Sequence, residues 1–287
     1  MSDSLVVFHQ GGGDDGKLWY TASGNGQDWT ADQEVPRLGM TSDPSAVQYN
    51  GKLYVFHQGG GNSGELWYDV LDGGSWRPDQ KVDKAHMSVG PSAVVYRGEI
   101  YVFYHGPGGN AQLRYNVFNG REWSGDNLVE GVGMSSGPSA VVYNHKLFVF
   151  HQGAGRNGEL WYSVFDGDGG WSVDAKVPKT GLSGGPSAVA WGGKIYCFHQ
   201  GMGDEGNLWY NVYDGRGWGA DTKVERTGMS FGPSAVVYRD RVFVFHQGAG
   251  RSGDLWFNVL GASGWGGDTK LEGTRMSASP GAVVAIL

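Results

Sequence analysis

Five copies of one triplet carry the side chains most suited to chemistry in this chain. They are Phe8-His9-Gln10, Phe56-His57-Gln58, Phe150-His151-Gln152, Phe198-His199-Gln200 and Phe245-His246-Gln247. A glycine loop and then Leu-Trp-Tyr or Leu-Trp-Phe follow each, which places Trp19, Trp67, Trp161, Trp209 and Trp256 at one repeated position. An imidazole next to a primary amide offers donors and acceptors on adjacent side chains. An indole adds a flat apolar face with one N–H handle. The alternative for the same residues is structural: His and Gln tie loops to the backbone, as buried polar groups usually do, and Trp packs sheet on sheet. One histidine per copy, spread over the fold, does not suggest a metal site.

A sixth copy, third along the chain, keeps the frame and changes the chemistry. Tyr104 stands for His, His105 for Gln and Arg114 for Trp, while Phe103, Leu113, Tyr115, Trp123 and Pro138 remain. Three substitutions at one end of a hairpin, with its frame intact, predict that His, Gln and Trp form a unit separable from folding. By this reading Tyr104, His105 and Arg114 make a divergent site. The tryptophans present in all six copies (Trp29, Trp76, Trp123, Trp171, Trp218, Trp265) read as structural.

The glycine loops satisfy Gly-x-Gly-x-x-Gly at Gly11–Gly16, Gly59–Gly64, Gly153–Gly158, Gly201–Gly206 and Gly248–Gly253. A dinucleotide fingerprint needs that loop to open a helix whose N-terminus holds the pyrophosphate. Here each loop runs into another strand pattern, so the expectation is a hairpin loop that needs positive φ. It is also bare enough for a ligand to approach backbone N–H groups.

The elements that position these groups follow from the spacing. Successive phenylalanines at 8, 56, 103, 150, 198 and 245 are 48, 47, 47, 48 and 47 residues apart. That period lies in the range of propeller blades. Within one unit, Pro91-Ser-Ala-Val-Val-Tyr96, Glu99-Ile-Tyr-Val-Phe103, Gln112-Leu-Arg-Tyr-Asn-Val117 and a segment around Trp123 are short runs rich in β-branched and aromatic residues. Turns at Arg97-Gly98 and Asn119-Gly120 separate them, which predicts a four-stranded antiparallel meander. The chain begins in a second strand, Ser4-Leu-Val-Val-Phe8, and ends in a first-strand pattern, Pro280-Gly-Ala-Val-Val-Ala-Ile-Leu287. The expected fold is all-β: one domain over 1–287, a six-bladed propeller whose C-terminal strand completes the N-terminal blade. Closure of this kind removes exposed sheet edges. The His-Gln pairs, glycine loops and Gly-Met-Ser segments are expected on one face of the ring.

Composition narrows the function classes. The 22 Lys and Arg against 29 Asp and Glu give a net charge of −7, with the acids scattered, which argues against nucleic acid or an anionic membrane as the main partner. No stretch approaches the roughly 20 apolar residues of a transmembrane helix. No leader pattern is visible at Met1-Ser2-Asp3-Ser4, so the expectation is cytoplasmic synthesis, with any release by a non-classical route. The single cysteine, Cys197, occupies a strand position held by valine elsewhere and reads as a buried spectator, so no disulfide within the chain is possible.

An aromatic face beside hydrogen-bonding groups, repeated around a ring, suits a sugar: C–H faces rest on indole and hydroxyls take directional bonds. Shallow sites of about millimolar affinity, near −4 kcal/mol, gain avidity of about 10² to 10⁴ when linked. Across the whole repeat, the order Leu-x-Val-Phe, glycine loop, Leu-Trp-Tyr, Asp-Gly-x-x-Trp, Gly-Met-Ser, Pro-Ser-Ala-Val resembles bacterial β-propeller lectins of the Photorhabdus type. The resemblance implies binding of fucose or O-methylated sugars between neighbouring blades and partners among glycans or glycoconjugates. Those relatives are typically seven-bladed, whereas six frames are present here. Six-bladed fungal fucose lectins and tectonin-type lectins are similar mainly in architecture. The expectation is therefore a multivalent lectin with no catalytic residue, metal or cofactor; whether rings associate into homo-oligomers is left open. The alternatives are a protein-binding scaffold and a sialidase-like glycosidase. The second would need a specific pair of acids or an equivalent nucleophile, and no unrepeated acidic pair is evident.

Overall fold

The computed structural model describes residues 2–36, 38–107, 111–168, 170–203 and 206–287. Among the described residues every regular element of length is a β-strand, apart from two three-residue 3₁₀ turns at Ala154–Arg156 and Ala249–Arg251 inside glycine loops. No α-helix follows any of the five glycine loops, which removes the nucleotide reading. Positions 204–205 of the fourth of these loops lie outside the described residues.

Hydrogen bonding groups the strands into antiparallel sheets. Ser92–Tyr96, Glu99–His105, Gln112–Phe118 and Asn127–Gly133 make one four-stranded meander, and Ser139–Tyr143, Lys146–Gln152, Glu159–Phe165 and Ala175–Gly181 another. Met40–Tyr49, Lys52–Gly59 and Glu65–Asp72 form a third, with Ser75–Trp76 and Gln80–His86 both on Glu65–Asp72. The strand Thr222–Tyr238 is 17 residues long and serves two meanders. Its first part pairs with Asn207–Tyr213 (Tyr210 opposite Thr222) and its last part with Arg241–Gly248 (Ser234 opposite Phe245), so both meanders join one eight-stranded path. In the remaining sheet, Ser4–Gln10 lies between Leu18–Ser23 and the C-terminal strand Gly281–Ala285, with Leu5 opposite Val284 and Phe8 opposite Gly281.

The first strands line an axis. Six segments, from Asp43-Pro44-Ser45 through Gly90-Pro91-Ser92 to Ser279-Pro280-Gly281, surround one narrow cavity of about 100 Å³. Small residues are required there because six backbones converge. Neighbouring first strands are linked by side chain: the N–H of Ala93, Ala140, Ala188, Ala235 and Ala282 donates to Ser45, Ser92, Ser139, Ser187 and Ser234 Oγ at 2.8–3.0 Å. At the remaining junction the serine is replaced by Gly281, where a Cβ would sit 2.3 Å from Pro44 O. The backbone there comes too close for any side chain.

Between sheets the core is aromatic. Each outer tryptophan meets the frame phenylalanine of the neighbouring sheet edge-on. The six pairs are Trp29–Phe245, Trp76–Phe8, Trp123–Phe56, Trp171–Phe103, Trp218–Phe150 and Trp265–Phe198, with centroids 5.6–6.2 Å apart and planes at 84–90°. All six frame phenylalanines are completely buried. Edge-to-face pairs of this kind add about 0.5–1.5 kcal/mol beyond their burial. The structural reading of these tryptophans therefore holds. Cys197 is also fully buried, and burial pushes its thiol pKa up, consistent with a spectator.

Candidate functional site

The hairpin after each frame phenylalanine projects its loop toward the segment that bridges to the next sheet. Thr41, Ser88, Ser135, Ser183 and Ser277 Oγ donate to the carbonyls of Gly59, Gly106, Gly153, Gly201 and Gly11. The residue before each, Met40, Met87, Met134, Leu182 and Met276, is buried and bonds through its N–H to the preceding hairpin loop. Gly-Met-Ser is thus the clasp that holds two glycine loops on one face. The third and sixth loop glycines, such as Gly155 and Gly158, have φ of 74° and 72°, which side chains rarely adopt.

The histidines do not reach that face. His9, His57, His151, His199 and His246 are all 0% exposed. Their Nδ1 atoms lie 3.1–3.2 Å from the carbonyl oxygens of Gln10, Gln58, Gln152, Gln200 and Gln247. Their Nε2 atoms lie 3.0–3.1 Å from carboxylates: Asp32, Asp69, Asp174, Asp221 and Asp268. Both ring nitrogens are occupied, so the expected role of histidine as a ligand donor is replaced by a structural one.

The glutamines are nearly as covered, at 2–7% exposure. Gln58, Gln152, Gln200 and Gln247 Nε2 donate to the carbonyls of Met87, Leu182, Met229 and Met276. They too tie the hairpin to the clasp, and that bond takes one of the two amide N–H groups of each.

The third copy uses the same scaffold. Tyr104 is fully buried and donates its hydroxyl to Asp126 Oδ1 at 2.7 Å, and Arg114 Nη1 donates to Asp126 Oδ2 at 2.5 Å. His105 Nδ1 sits 2.8 Å from both Ser88 Oγ and Gly106 O. Tyr104 therefore replaces histidine as a partner for the same carboxylate, and the triplet was not separable from folding as expected. The aspartates went unnoticed in the sequence. A Trp-x-x-Asp pattern (Trp29-x-x-Asp32 to Trp265-x-x-Asp268) occurs in all six copies and was the signal that could have revealed them.

One histidine differs from the rest. His57 faces two carboxylates, Asp69 Oδ2 at 3.1 Å and Asp79 Oδ1 at 3.4 Å. Burial alone would lower its pKa, but the hydrogen bond to Asp69, the close contact with Asp79 and the charge of both raise it to about 9. Asp69 stands where the other copies have Thr21, Asn116, Ser163, Asn211 and Asn258, and burial pushes its own pKa up. The three groups offer ligand atoms within 4.8 Å of one another, a spacing that could hold a cation. The His57 nitrogen is already shared with both acids, and the set reads more directly as a buried ion-pair triad.

The tryptophans remain as surface groups. Trp19, Trp67, Trp161, Trp209 and Trp256 are all part-exposed. The first loop glycine lies flat against the indole: a Cβ at Gly59, Gly153 or Gly248 would fall 2.7–2.9 Å from the Nε1 of Trp67, Trp161 or Trp256. Trp161 Nε1 donates to Glu159 Oε2 at 3.2 Å, and the hydrogen bond from Lys176 holds the Glu159 carboxyl below the usual range. Trp19 Nε1 donates to Asp15 Oδ2 at 3.0 Å.

Two of these indoles line clefts of the same design. Trp161 shares a cleft of about 590 Å³ with Glu130, Gly131, Gly133, Gly153, Ala154, Asn157, Val173 and Asp174. Trp256 shares one of about 740 Å³ with Glu225, Arg226, Gly228, Gly248, Ala249, Ser252 and Asp268, and also Trp265. Glu130 and Glu225, like Trp161 and Trp256, are 95 residues apart, so both clefts lie between one sheet's outer strand and the next sheet's glycine loop. Each brings an indole and an alanine together with glycines and carboxylates. At the fifth copy the alanine is replaced by Met202, whose side chain reaches Gly158 and Gly181 of the neighbouring sheet.

No family model and no curated protein matches the chain. Solved structures do. A fucose-specific lectin from Aleuria aurantia aligns at a TM-score of 0.75 and 19% identity, covering 95% of this chain and 92% of that one. AofleA from Arthrobotrys oligospora aligns at a TM-score of 0.64 and 15% identity, over 95% and 84% of the two chains. An α-L-arabinofuranosidase from Clostridium thermocellum aligns at 0.54 and 16%, over 82% and 95%. At these identities the likeness defines the class by fold, and the chain is an all-β propeller.

Proposed function

We propose that this protein is a multivalent carbohydrate-binding lectin built on a six-bladed, ring-closed propeller, with neutral sugars bound in the tryptophan clefts between blades. The observation that carries the reading is the repeated cleft at Trp161 and Trp256, lined in both copies by an indole, an alanine, glycines and carboxylates. A sugar's C–H face fits the indole, and its hydroxyls fit the carboxylates and amides of the same cleft. The six-blade count is supported by six equivalent Phe–Trp contacts, of which Trp29–Phe245 joins the two ends of the chain. Pairing of Ser4–Gln10 with Gly281–Ala285 supports closure.

Fucose or an O-methylated sugar is the proposed ligand. Support comes from the repeat's resemblance to Photorhabdus-type lectins and from the structural likeness to the fucose-specific lectin from Aleuria aurantia. The proposed sites are the five copies with tryptophan. Arg114, tied to Asp126, makes the third copy divergent.

Binding rather than turnover is the proposed activity. A glycan array with the unmodified protein, followed by titration with methyl α-L-fucoside, tests it. Saturable binding that Trp161→Ala and Trp256→Ala reduce supports the reading. A blank array, or hydrolysis of chromogenic glycosides, would overturn it.

A further inference from the structure

One junction on the glycine-loop face departs from the repeat. Between the loop after Arg241–Gly248 and the loop after Ser4–Gln10 lies a cavity of about 550 Å³, lined by Phe231, Gln247, Arg251 and Arg275 with Gly12–Asp14 opposite. It does not contain the tryptophan of either cleft described above.

Three features mark it as built. Phe231 occupies a place held by Ser42, Val89, Ser136, Gly184 and Ala278 in the other copies, and it does so with φ of 63°. A bulky residue in the left-handed region is strained. The Arg251 guanidinium lies over that ring, 5.3 Å from its centroid, as a cation–π pair. Among the described residues Arg251 makes no ion pair, unlike Arg275, which holds Asp254 at 2.9 Å. Gln247 is 2% exposed and donates through Nε2 to Met276 O at 3.0 Å, but its Oε1 is buried with no partner. The corresponding oxygen of Gln58 receives Thr41 Oγ1 at 3.4 Å.

The geometry points to a second binding site, independent of the tryptophan clefts, for an acidic sugar residue. Arg251 grips the ligand's carboxylate through its planar fork. Gln247 Oε1, an acceptor only, accepts a hydrogen bond from a ring hydroxyl. Phe231 is a positioning residue that holds the guanidinium over the cavity. A sulfate satisfies the cation but brings no hydrogen for the buried oxygen, which favours a hydroxylated carboxylate. Asp14 is the acidic group on the facing loop; it is exposed, and its N–H is held by Ser277 Oγ at 2.8 Å.

The test is titration of the full chain with methyl β-D-glucuronide, followed by calorimetry and by amide chemical shifts. One saturable site per chain is expected, with shifts at Phe231, Gln247 and Arg251. Arg251→Ala should weaken it about tenfold or more, the loss of a charge-assisted pair. Phe231→Gly, which relieves the strained φ, should weaken it while leaving the melting temperature intact. Trp161→Ala and Trp256→Ala should leave it unchanged, so failure here and failure of the cleft reading are separate results. Methyl β-D-glucoside should not bind there. The proposal is overturned by an absence of saturable glucuronide binding, by equal affinity in Arg251→Ala, or by equal displacement with sodium sulfate.

Discussion

Replacing Asp69 by asparagine should remove a pH dependence of stability that belongs to one blade. The raised pKa of His57, about 9 in the fold against 6.5 for the free side chain, arises against burial from Asp69 and Asp79. A group whose folded pKa is raised stabilises fully below its unfolded pKa, and that stabilisation is lost as pH rises through the folded value. The window is therefore pH 6.5 to 9. A shift of that size corresponds to about 3 kcal/mol at ~1.4 kcal/mol per unit. The folded Asp69 pKa is also raised, by burial, so its contribution runs in the same direction. With about 2 cal/mol/K of unfolding entropy per residue, 3 kcal/mol corresponds to roughly 5 °C in Tm for a chain of this length. Asn116, Asn211 and Asn258 show that asparagine fits the position. Thermal unfolding by circular dichroism at pH 6, 7.5, 9 and 10, at one ionic strength, should show the unmodified protein losing roughly that much more than Asp69→Asn. The slope is the readout, since the burial cost of Asp69 offsets part of the difference at neutral pH. Parallel curves for the two proteins would refute the triad as a buried cation between two acids.

Three further outcomes follow from named contacts. Trp161→Ala should lower sugar capacity with a small change in Tm because its indole packs on no other aromatic ring among the described residues, whereas Trp171→Ala, equally part-exposed but packed on Phe103, Tyr115 and Phe165, should cost more, toward the lower end of the about 3–5 kcal/mol of a buried large-to-small change; equal melting losses would sink the distinction. Tyr104→Phe should destabilise by about 1–3 kcal/mol in urea unfolding, since Asp126 loses a hydroxyl donor at 2.7 Å, while Tyr104→His should recover most of it. Ending the chain after Pro280 removes the partner of Ser4–Gln10 and should give aggregation and a broadened transition, measured by light scattering and calorimetry; an unchanged melting profile would contradict ring closure.

Much of the architecture was legible in the sequence because each unit repeats its own local code. Alternating apolar residues, glycine and asparagine turns and a regular spacing of phenylalanines specify strand, hairpin and period without reference to distant residues. The outer tryptophans were readable as structural for the same reason, since they never vary among six copies under one packing constraint. The identity of the site was less legible. A histidine beside a glutamine looks the same in sequence whether it faces solvent or a carboxylate, and only folding brings Asp174 to His151, 23 residues away, and closes both ring nitrogens. The third copy misled because Tyr104 preserves a bond to Asp126 that exists only in three dimensions. Exposure of the indoles, the clefts at Trp161 and Trp256, and the cavity between Phe231, Arg251 and Gly12–Asp14 depend on neighbours far apart in the chain. The sequence by itself determined the repeating unit, through local propensity and period; the tertiary structure alone decided which polar groups remain free, because burial and partnership are set between strands and sheets that only folding brings together.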